Sequence, residues 1–164
     1  MKKIGILSDT HGFLDDRVFE YFADCDEIWH AGDWGSMEVV NSLTQFKPVR
    51  GVYGNMDDYD VRAVFPEHNR FLCEEVDVWL THIGTQQGKY LPAIQSVFIH
   101  QPPDLFVCGH SHILKVKYDK KFHFLYVNPG AEGKFGIHKI QTIIRLKIDR
   151  KEIKDLEVIE IGEK

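Results

Sequence analysis

The sequence has 164 residues, of which 43% are hydrophobic and 12% aromatic, so it can fill the core of a single domain spanning residues 1–164 and is not a disordered chain. Its net charge of −5 excludes a surface that coats nucleic acid or is attracted to anionic membranes, although a nucleotide-like substrate stays open. No run reaches the roughly 18 apolar residues of a membrane span. The three cysteines are far apart and lie inside apolar runs, which is typical of reduced core thiols. We therefore expect a cytoplasmic protein.

Five short apolar runs predict β-strands, and helical patterns separate several of them. The runs are residues 4–7, 28–29, 49–53, 76–80 and 105–108. Apolar residues recur at helical spacing after the first run, after the second run and before the last run. They are Leu14, Val18 and Phe22; Met37, Val40 and Leu43; and Leu91, Ile94, Val97 and Phe98. This alternation predicts amphipathic crossover helices between the strands.

After residue 112 the pattern changes to the alternation of apolar and polar residues that is typical of half-buried strands. The alternating segments contain Val116 and Tyr118, residues 122–127, and Ile144, Leu146 and Ile148. A turn at residues 149–152 then leads into a last strand around residues 156–161. Strand–helix alternation followed by antiparallel strands predicts an α/β fold in which two sheets pack face to face, with helices on the outside.

Residues that bind metals or phosphate follow each of the five apolar runs. They are Asp9 and His11, Asp33, Asn55, His82, and His110 and His112. Because ligands of open α/β sheets bind outside the carboxyl ends of the strands, we expect these seven side chains to converge. Asp9 and His11 are two residues apart, which in an extended segment places both side chains on one side, and His110 and His112 repeat this spacing. Seven ligands are too many for one ordinary zinc centre but enough for two metals that share a carboxylate.

These motifs resemble those of the calcineurin-like metallophosphoesterases, in particular the small YfcE-type phosphodiesterases. The resemblance extends over nearly the whole chain, from Asp9-Thr10-His11 to Asn128-Pro129-Gly130. It implies a four-layer αββα sandwich of two mixed β-sheets flanked by helices. It also implies two metal ions with Asp33 as the bridging ligand. The first would be bound by Asp9, His11, Asp33 and His112, and the second by Asp33, Asn55, His82 and His110.

The function predicted from this resemblance is that of a two-metal phosphoesterase, with phosphodiester hydrolysis as the favoured activity. Two divalent ions bring four positive charges and the two aspartates remove two, which leaves about two for a phosphate ester. We predict in-line attack on phosphorus by a metal-bridging hydroxide, with Asp33, Asn55 and His82 as the catalytic residues. Imidazole ligands suit transition metals. The family leads us to expect Mn²⁺, with Zn²⁺, Fe²⁺ and Ni²⁺ as alternatives.

The chain departs from the wider family near the predicted site. Many relatives have Gly-Asn-His, whose histidine is thought to protonate the leaving oxygen, whereas Met56 follows Asn55 here. A thioether cannot donate that proton, so good leaving groups should be favoured unless Asp57 or a metal-bound water substitutes. Residues 83–85, Ile-Gly-Thr, and Ala131 also differ from the usual pattern, without removing an assigned ligand.

Several other residues have both a structural and a functional interpretation. His30 either supports a ligand residue or packs within its strand, and Trp34 is the tryptophan best placed to line the site. Asp57 is interpreted as a turn residue or a support for the ligands. Arg62 and Lys89 are expected to be solvated, with a phosphate contact as the alternative. The remaining histidines belong to no sequence cluster: His68, His100, His123 and His138.

Two other functions stay open, namely a phosphomonoesterase for a specific small metabolite and a VPS29-like interaction scaffold with little catalysis. The presence of all seven ligand residues favours the enzyme. The expected partner is then a small phosphate ester or a nucleotide-like substrate, with no membrane and no extended nucleic-acid surface. A homo-oligomer also stays open, because apolar strands near the C-terminus either pair between subunits or pack within one.

Overall fold

The structure, a computed structural model, describes residues 1–164 and contains two five-stranded sheets and a small hairpin. The first sheet has the order β12-β11-β1-β2-β3 and the second has the order β4-β5-β8-β10-β9. The strands of the first sheet are β1 (Lys2–Leu7), β2 (Glu27–His30), β3 (Val49–Gly51), β11 (Ile140–Asp149) and β12 (Glu152–Glu163). Those of the second are β4 (His68–Cys73), β5 (Val76–Thr81), β8 (Leu105–Val107), β9 (Lys115–Asp119) and β10 (Phe124–Asn128). The hairpin consists of β6 (Thr85–Gln86) and β7 (Lys89–Tyr90).

Both sheets are mixed. In the first sheet β1, β2 and β3 are parallel, whereas β11 is antiparallel to β1 and to β12. In the second sheet β5, β8 and β10 are parallel, and the two outer strands β4 and β9 are antiparallel to their neighbours. The parallel strands of each sheet therefore end at one edge, and the loops that follow them meet there.

Four helices connect the strands: α1 (Arg17–Tyr21), α2 (Met37–Phe46), α3 (Tyr59–Val64) and α4 (Pro92–His100). Ser36 caps α2, since its hydroxyl oxygen accepts a hydrogen bond from the backbone N–H of Val39. Asp58 caps the short helix α3 in the same way. Pro92 opens α4 at a position where no backbone donor is needed. None of the four helices is long and apolar enough to cross a membrane.

Three groups of buried apolar side chains fill the spaces between the layers. The central group lies between the sheets and includes Ile4, Ile6, Val78, Leu80, Val107, Ile144, Leu146 and Ile148. A second group joins the outer face of the first sheet to α1, α2 and α3, and includes Val18, Ile28, Val40, Leu43 and Val61. A third joins the outer face of the second sheet to α4, and includes Ile94, Phe98, Phe106 and Phe124. Helices therefore cover both outer faces, which confirms the predicted four-layer sandwich of two mixed sheets.

Several element boundaries differ from the predicted ones. The first helix is only five residues long, and Leu14 and Phe22 lie outside it. Strand β3 ends at Gly51, β10 begins at Phe124 after a turn, and β12 is longer than predicted. The sequence gives no clear pattern for α3, β4 or the hairpin. Helix α3 buries only Val61, and most residues of the edge strand β4 are partly exposed, so neither shows an apolar period.

Candidate metal centre

The seven predicted ligand residues lie together at the carboxyl edge of the two sheets, in the loops after β1, β2, β3, β5 and β8. Their possible ligand atoms form two groups, Asp9 with His11 and His112, and Asp33 with His82 and His110. Within each group these atoms lie within 4.8 Å of one another. Sequence reasoning therefore identified residues that are adjacent in space although they span more than half of the chain.

In the first group, the Oδ1 atom of Asp9 is the common neighbour of the imidazoles. It lies 3.1 Å from Nε2 of His112 and 3.7 Å from Nε2 of His11. The two Nε2 atoms are themselves 3.3 Å apart. Two imidazole nitrogens and a carboxylate oxygen that converge in this way form a suitable set of donors for a transition-metal ion.

In the second group, Asn55 joins the histidines. Its Oδ1 atom lies 3.0 Å from Nε2 of His82 and 3.0 Å from Nδ1 of His110. The Oδ2 atom of Asp33 lies 3.1 Å from Nε2 of His82 and 3.7 Å from Nε2 of His11. One oxygen of Asp33 therefore lies near a histidine of each group, as a shared carboxylate must. Oδ1 of Asp9 is somewhat farther from the second group, at 3.9 Å from Nε2 of His82.

The backbone of the ligand loops is unusual. Ten non-glycine residues have a positive φ angle, and five of these are predicted ligands: Asp9 (φ 56°), His11 (46°), Asp33 (56°), His110 (71°) and His112 (61°). A non-glycine residue in this conformation costs of order 1–3 kcal/mol and persists where the surrounding structure imposes it. The five residues lie in one site, which is where such strain is expected in proteins.

This finding corrects one step of the sequence reasoning. Asp9 and His11 were expected to share one side because they lie in an extended segment, but β1 ends at Leu7 and both residues are left-handed. The same is true of His110 and His112, which follow the end of β8. The convergence of each pair therefore comes from left-handed turns and not from the period of a strand.

Two glycines allow the ligand loops to approach each other. A Cβ atom on Gly54 would overlap the Oδ1 atom and the backbone of Asp33. A Cβ atom on Gly109 would overlap the hydroxyl of Ser8 and would lie 2.7 Å from Oδ2 of Asp9. Real Cβ atoms do not come this close to other atoms, so glycine is required at both positions.

Hydrogen bonds from a hydroxyl and from backbone N–H groups fix the orientation of both carboxylates. The Oδ2 atom of Asp9 accepts hydrogen bonds from the hydroxyl of Ser8 (2.6 Å) and the backbone N–H of His110 (3.1 Å). The Oδ1 atom of Asp33 accepts one from the backbone N–H of Met56 (2.8 Å). One oxygen of each carboxylate is thus held by the protein, and the other points into the cluster.

The tautomer of His82 follows from its partners. Its Nδ1 atom lies 2.7 Å from the carbonyl oxygen of Ala31 and must carry a proton to donate to it. In the neutral ring, Nε2 then presents a lone pair to oxygen atoms of Asp33 and Asn55. Three electron-rich atoms can face one another only if a cation, either a proton or a metal ion, lies among them.

Burial and charge act against each other in this cluster. Burial opposes the ionisation of Asp9, but the imidazoles of His11 and His112 hold the pKa of its carboxyl well below the usual value. Burial likewise opposes the ionisation of Asp33, and His82 lowers the pKa of this carboxyl. Burial disfavours the charged form of His82, but Asp33 outweighs it and raises the pKa of the imidazole. The site therefore stabilises ionised carboxylates beside positive charge.

The residues fit a pair of transition-metal ions by two independent observations. The Oδ1 atom of Asp9 is buried and receives no well-directed hydrogen bond, although His112 is near it. The Nε2 atom of His82 faces two oxygen acceptors. Both atoms need a cation, and the donor set of imidazole, carboxylate and amide is typical of sites for Mn, Fe, Zn or Ni.

His30 has both of the roles considered for it. It is completely buried and stacks on Trp34, with 3.7 Å between the ring centres, and burial lowers its pKa to about 3. The neutral ring accepts a hydrogen bond from the N–H of Gly32 at Nδ1, so Nε2 carries the proton that is donated to the hydroxyl of Thr10. Thr10 in turn donates to the carbonyl oxygen of Trp34. His30 thus joins the loop of Asp9 to the loop of Asp33.

The expectation that Trp34 lines the site is wrong. Its side chain is fully buried between His30 and Phe65, and its indole N–H donates to the carbonyl oxygen of Val52. Because the chain turns at Asp33, the next side chain points into the outer core layer. Trp79 is the tryptophan that borders a cavity beside the ligand residues.

Asp57 supports the ligands and is not available as a proton donor. Its Oδ1 atom accepts the N–H of Gly35 and its Oδ2 atom accepts the N–H of Gly54, so both oxygens are engaged. Of the two cations considered for phosphate contact, Arg62 lies beside the site and contacts the carbonyl oxygen of Asn55. Lys89 lies exposed in β7. The side chain of Met56 is 60% exposed.

Sequence reasoning missed two histidines that lie near the ligands. His138 stacks edge-on against His112, with ring centres 5.1 Å apart, and hydrogen-bonds the carbonyl oxygen of Gly133 through Nε2. His68 borders the same cavity as Asn55 and His82. Neither is part of a motif, so only long-range contacts could have identified them. His100 and His123 lie exposed outside both groups.

Comparison with known proteins agrees with this geometry. Residues 1–151 match the family model of the calcineurin-like phosphoesterase superfamily domain. A probable metallophosphoesterase of Methanothermobacter thermautotrophicus is 29% identical over 171 residues, covering 97% of this chain and 92% of that protein. A probable metallophosphoesterase of Methanocaldococcus jannaschii is 27% identical over 135 residues, covering 78% of this chain and 67% of that protein.

Two solved structures have a similar fold. An archaeal phosphodiesterase has a TM-score of 0.76 and 23% identity, covering 96% of this chain and 99% of that chain. Vps29 of Chaetomium thermophilum has a TM-score of 0.76 and 12% identity, covering both chains completely. At these identities the likeness concerns the fold alone, which an enzyme and Vps29 share.

Proposed function

The chain belongs to the calcineurin-like phosphoesterase superfamily, and from this premise we propose that it is a two-metal phosphodiesterase. The observation that carries the proposal is the position of the Oδ2 atom of Asp33, which lies 3.7 Å from Nε2 of His11 in the first group and 3.1 Å from Nε2 of His82 in the second. A carboxylate oxygen between two groups of ligands is suited to hold two ions close together. Two close ions are typical of enzymes that transfer phosphoryl groups.

Each ion would be held by side chains of both sheets. Asp9, His11 and Asp33 come from loops of the first sheet, and His82, His110 and His112 come from loops of the second. When bound, two divalent ions supply positive charge for the phosphate and lower the pKa of a coordinated water to near neutrality. We propose Mn²⁺ for both ions from the resemblance to the family, since the mixed imidazole, carboxylate and amide donors suit Fe²⁺, Zn²⁺ and Ni²⁺ as well.

Asn55 has the geometry to contact both metal and substrate. Its amide oxygen lies within 3.0 Å of His82 and of His110, on the side where an ion would lie. The amide nitrogen is left free to donate a hydrogen bond to a phosphoryl oxygen. A fixed donor of this kind stabilises the charge that develops on phosphoryl oxygens in the transition state.

The substrate preference follows from what the site lacks. The residue after Asn55 is an exposed methionine, and Asp57 uses both oxygens to hold backbone N–H groups. Neither residue can protonate the leaving oxygen. We therefore propose that esters with acidic leaving groups react fastest, because such groups depart without a proton.

The test is hydrolysis by the metal-stripped protein reconstituted with Mn²⁺, Zn²⁺, Fe²⁺ or Ni²⁺. Bis(p-nitrophenyl) phosphate serves as the diester and p-nitrophenyl phosphate as the monoester, since both release the same chromophore. We expect faster turnover of the diester. Faster turnover of the monoester would favour a phosphomonoesterase, and two bound ions without hydrolysis of either ester would favour a scaffold role like that considered for Vps29-like proteins.

A further inference from the structure

A cavity of about 560 Å³ opens directly beside the candidate metal centre. Asn55 and His82 belong both to the ligand set and to the wall of this cavity. A phosphate group held at the ligands would therefore have one of its ester groups at the mouth of the cavity. Cavities of roughly 300–1,000 Å³ are typical of sites for small organic ligands, so there is room for much more than a phosphate.

One wall of the cavity is apolar. It is formed by Trp79 in β5 and by Leu91, Ile94 and Val97 at the start of α4 and along it. Leu91 and Val97 are only half-buried although their chemistry is that of core residues. Apolar surface that stays open to water in this way is stabilised when a ligand covers it.

Flat and charged groups also line the cavity. The guanidinium of Arg62 lies 4.6 Å above the ring of Tyr53, and its Nε–H donates to the carbonyl oxygen of Asp57 at 2.8 Å. These contacts hold the plane of the guanidinium in place, and its second face can stack on a further ring. His68 adds another flat group, at 5.7 Å from the ring of Trp79.

Polar side chains lie at the rim of the cavity. Glu67 is exposed and lies 3.8 Å from His68, and both border the cavity together with Thr81. Flat stacking surfaces, an apolar wall and a few polar groups at the edge match a heteroaromatic ring, which has two faces to stack and polar atoms at its edge. A long alkyl group has no flat faces to stack and no polar atoms to pair with these rim groups.

We propose that this cavity, the ester pocket, binds one ester group of the diester and selects a flat aromatic or heteroaromatic group of nucleobase size. The proposal rests on the phosphodiesterase function and adds the class of substrate to it. Arg62 of α3 and Leu91 at the N-cap of α4 act as the pocket's specificity residues. The phosphate is held at the metal centre whatever the ester group is, and the ring adds affinity through the pocket.

The test uses three phosphonates that cannot be hydrolysed and calorimetry of the full chain loaded with Mn²⁺. Methylphosphonate occupies the metal centre alone, benzylphosphonate adds a flat ring, and n-hexylphosphonate adds an apolar chain of similar size. We expect benzylphosphonate to bind about tenfold more tightly than methylphosphonate, the gain expected from burial of a ring. We expect n-hexylphosphonate to gain clearly less.

Two variants of pocket residues and one control locate the effect. Leu91→Asn removes apolar surface at the N-cap of α4, where asparagine is a favourable residue, so the helix should be retained. Arg62→Lys keeps the charge and removes the flat group. Ile99→Asn changes an apolar residue on the same helix that is 62% exposed and lies outside the pocket. The advantage of benzylphosphonate over methylphosphonate should shrink in the first two variants and persist in the third.

The outcomes separate this inference from the proposed function. If methylphosphonate binds and diesters are hydrolysed, but the ring gives no gain or gives the same gain as the hexyl chain, the ester pocket is refuted and the phosphodiesterase is not. Equal losses for both phosphonates in Leu91→Asn and in Arg62→Lys would also refute it. If no phosphonate binds and no ester is hydrolysed, the proposed function fails, and the pocket assignment fails with it.

Discussion

Replacement of Asp57 by asparagine should weaken the metal centre without touching a ligand. Asp57 is 5% exposed, and its carboxylate accepts hydrogen bonds from the backbone N–H groups of Gly35 (3.0 Å) and Gly54 (2.8 Å). The first N–H lies in the loop of Asp33 and the second in the loop of Asn55. Asparagine has nearly the same shape, but one oxygen becomes an NH₂ group that points at a backbone donor.

The size of the effect follows from these contacts. A hydrogen bond to a charged group is worth about 1.5–3 kcal/mol, and a buried donor without a partner costs about 1–3 kcal/mol. Asp57→Asn loses one such bond and creates at least one unpartnered donor, so we expect a loss of ~3 kcal/mol. For a chain of this length, 1 kcal/mol shifts Tm by roughly 2–4 °C, which predicts a Tm lower by about 6–12 °C. Mutation of residues that hydrogen-bond metal ligands typically lowers metal affinity about 10–100-fold, and we expect Asp57→Asn to lose Mn²⁺ affinity in this range.

Thermal unfolding of the metal-free protein and calorimetric titration with Mn²⁺ measure the two effects. Asp58→Asn is the matched control, because Asp58 caps α3 through hydrogen bonds to the N–H groups of Asp60 and Val61 and asparagine caps helices about as well as aspartate. The control should change Tm by no more than a degree or two. A Tm for Asp57→Asn equal to that of the control, together with unchanged Mn²⁺ affinity, would refute the reasoning.

Three further predictions concern other parts of the site. Gly109→Ala should reduce the number of bound Mn²⁺ ions, measured by elemental analysis, because a Cβ atom there displaces Asp9; a full complement of ions would contradict this. Met56→His should speed the hydrolysis of esters with poor leaving groups more than that of p-nitrophenyl esters, because a general acid typically raises the rate about 10²–10⁴-fold. An equal change in rate for all leaving groups would argue against a missing proton donor. Burial raises the pKa of the Glu132 carboxyl from 4.5 to about 8, so the stability contributed by its neutral form is complete below pH 4.5 and is lost as pH rises towards 8. In metal-free protein, the Tm of Glu132→Gln minus the Tm of the wild type should therefore be larger at pH 8.5 than at pH 5.5. A difference in Tm that does not change with pH would refute this.

The strands and the identity of the ligand residues could both be predicted from the sequence, for different reasons. The inner face of β11 is visible because Ile144, Leu146 and Ile148 alternate with polar residues and all three are buried between the sheets. The ligands are visible because each follows an apolar run, and parallel strands end at one edge. In both cases a local pattern encodes a position in the fold.

The conformation of the ligand loops could not be predicted in the same way. The left-handed backbone at Asp9 and His11 costs energy locally. Asp and His adopt it more often than most residues, but it stays uncommon for them, so the residue type alone does not indicate it. It is stabilised by distant partners, such as the backbone N–H of His11, which donates to the carbonyl oxygen of Asp33, and that of Gly12, which donates to Trp34. Contacts between residues so far apart in the chain are not encoded in any short motif.

The same limit applies to Trp34 and the ester pocket. Trp34 follows a ligand residue, which suggested the site, but the turn at Asp33 directs it into the core between His30 and Phe65. The pocket combines residues from β3–α3, β4, β5 and α4. Its members, among them Arg62, His68 and Leu91, look like ordinary surface or core residues until the fold brings them together.

The most direct test of the two-metal account is Mn²⁺-dependent hydrolysis of bis(p-nitrophenyl) phosphate by the wild type and by Asp33→Asn, prepared together, with Asp60→Asn as an exposed control. The account predicts that the wild type and the control bind two ions and turn over the diester, whereas Asp33→Asn loses at least about 100-fold in rate and binds fewer ions. Equal rates in the wild type and Asp33→Asn, or no turnover by a wild type with two bound ions, would contradict it.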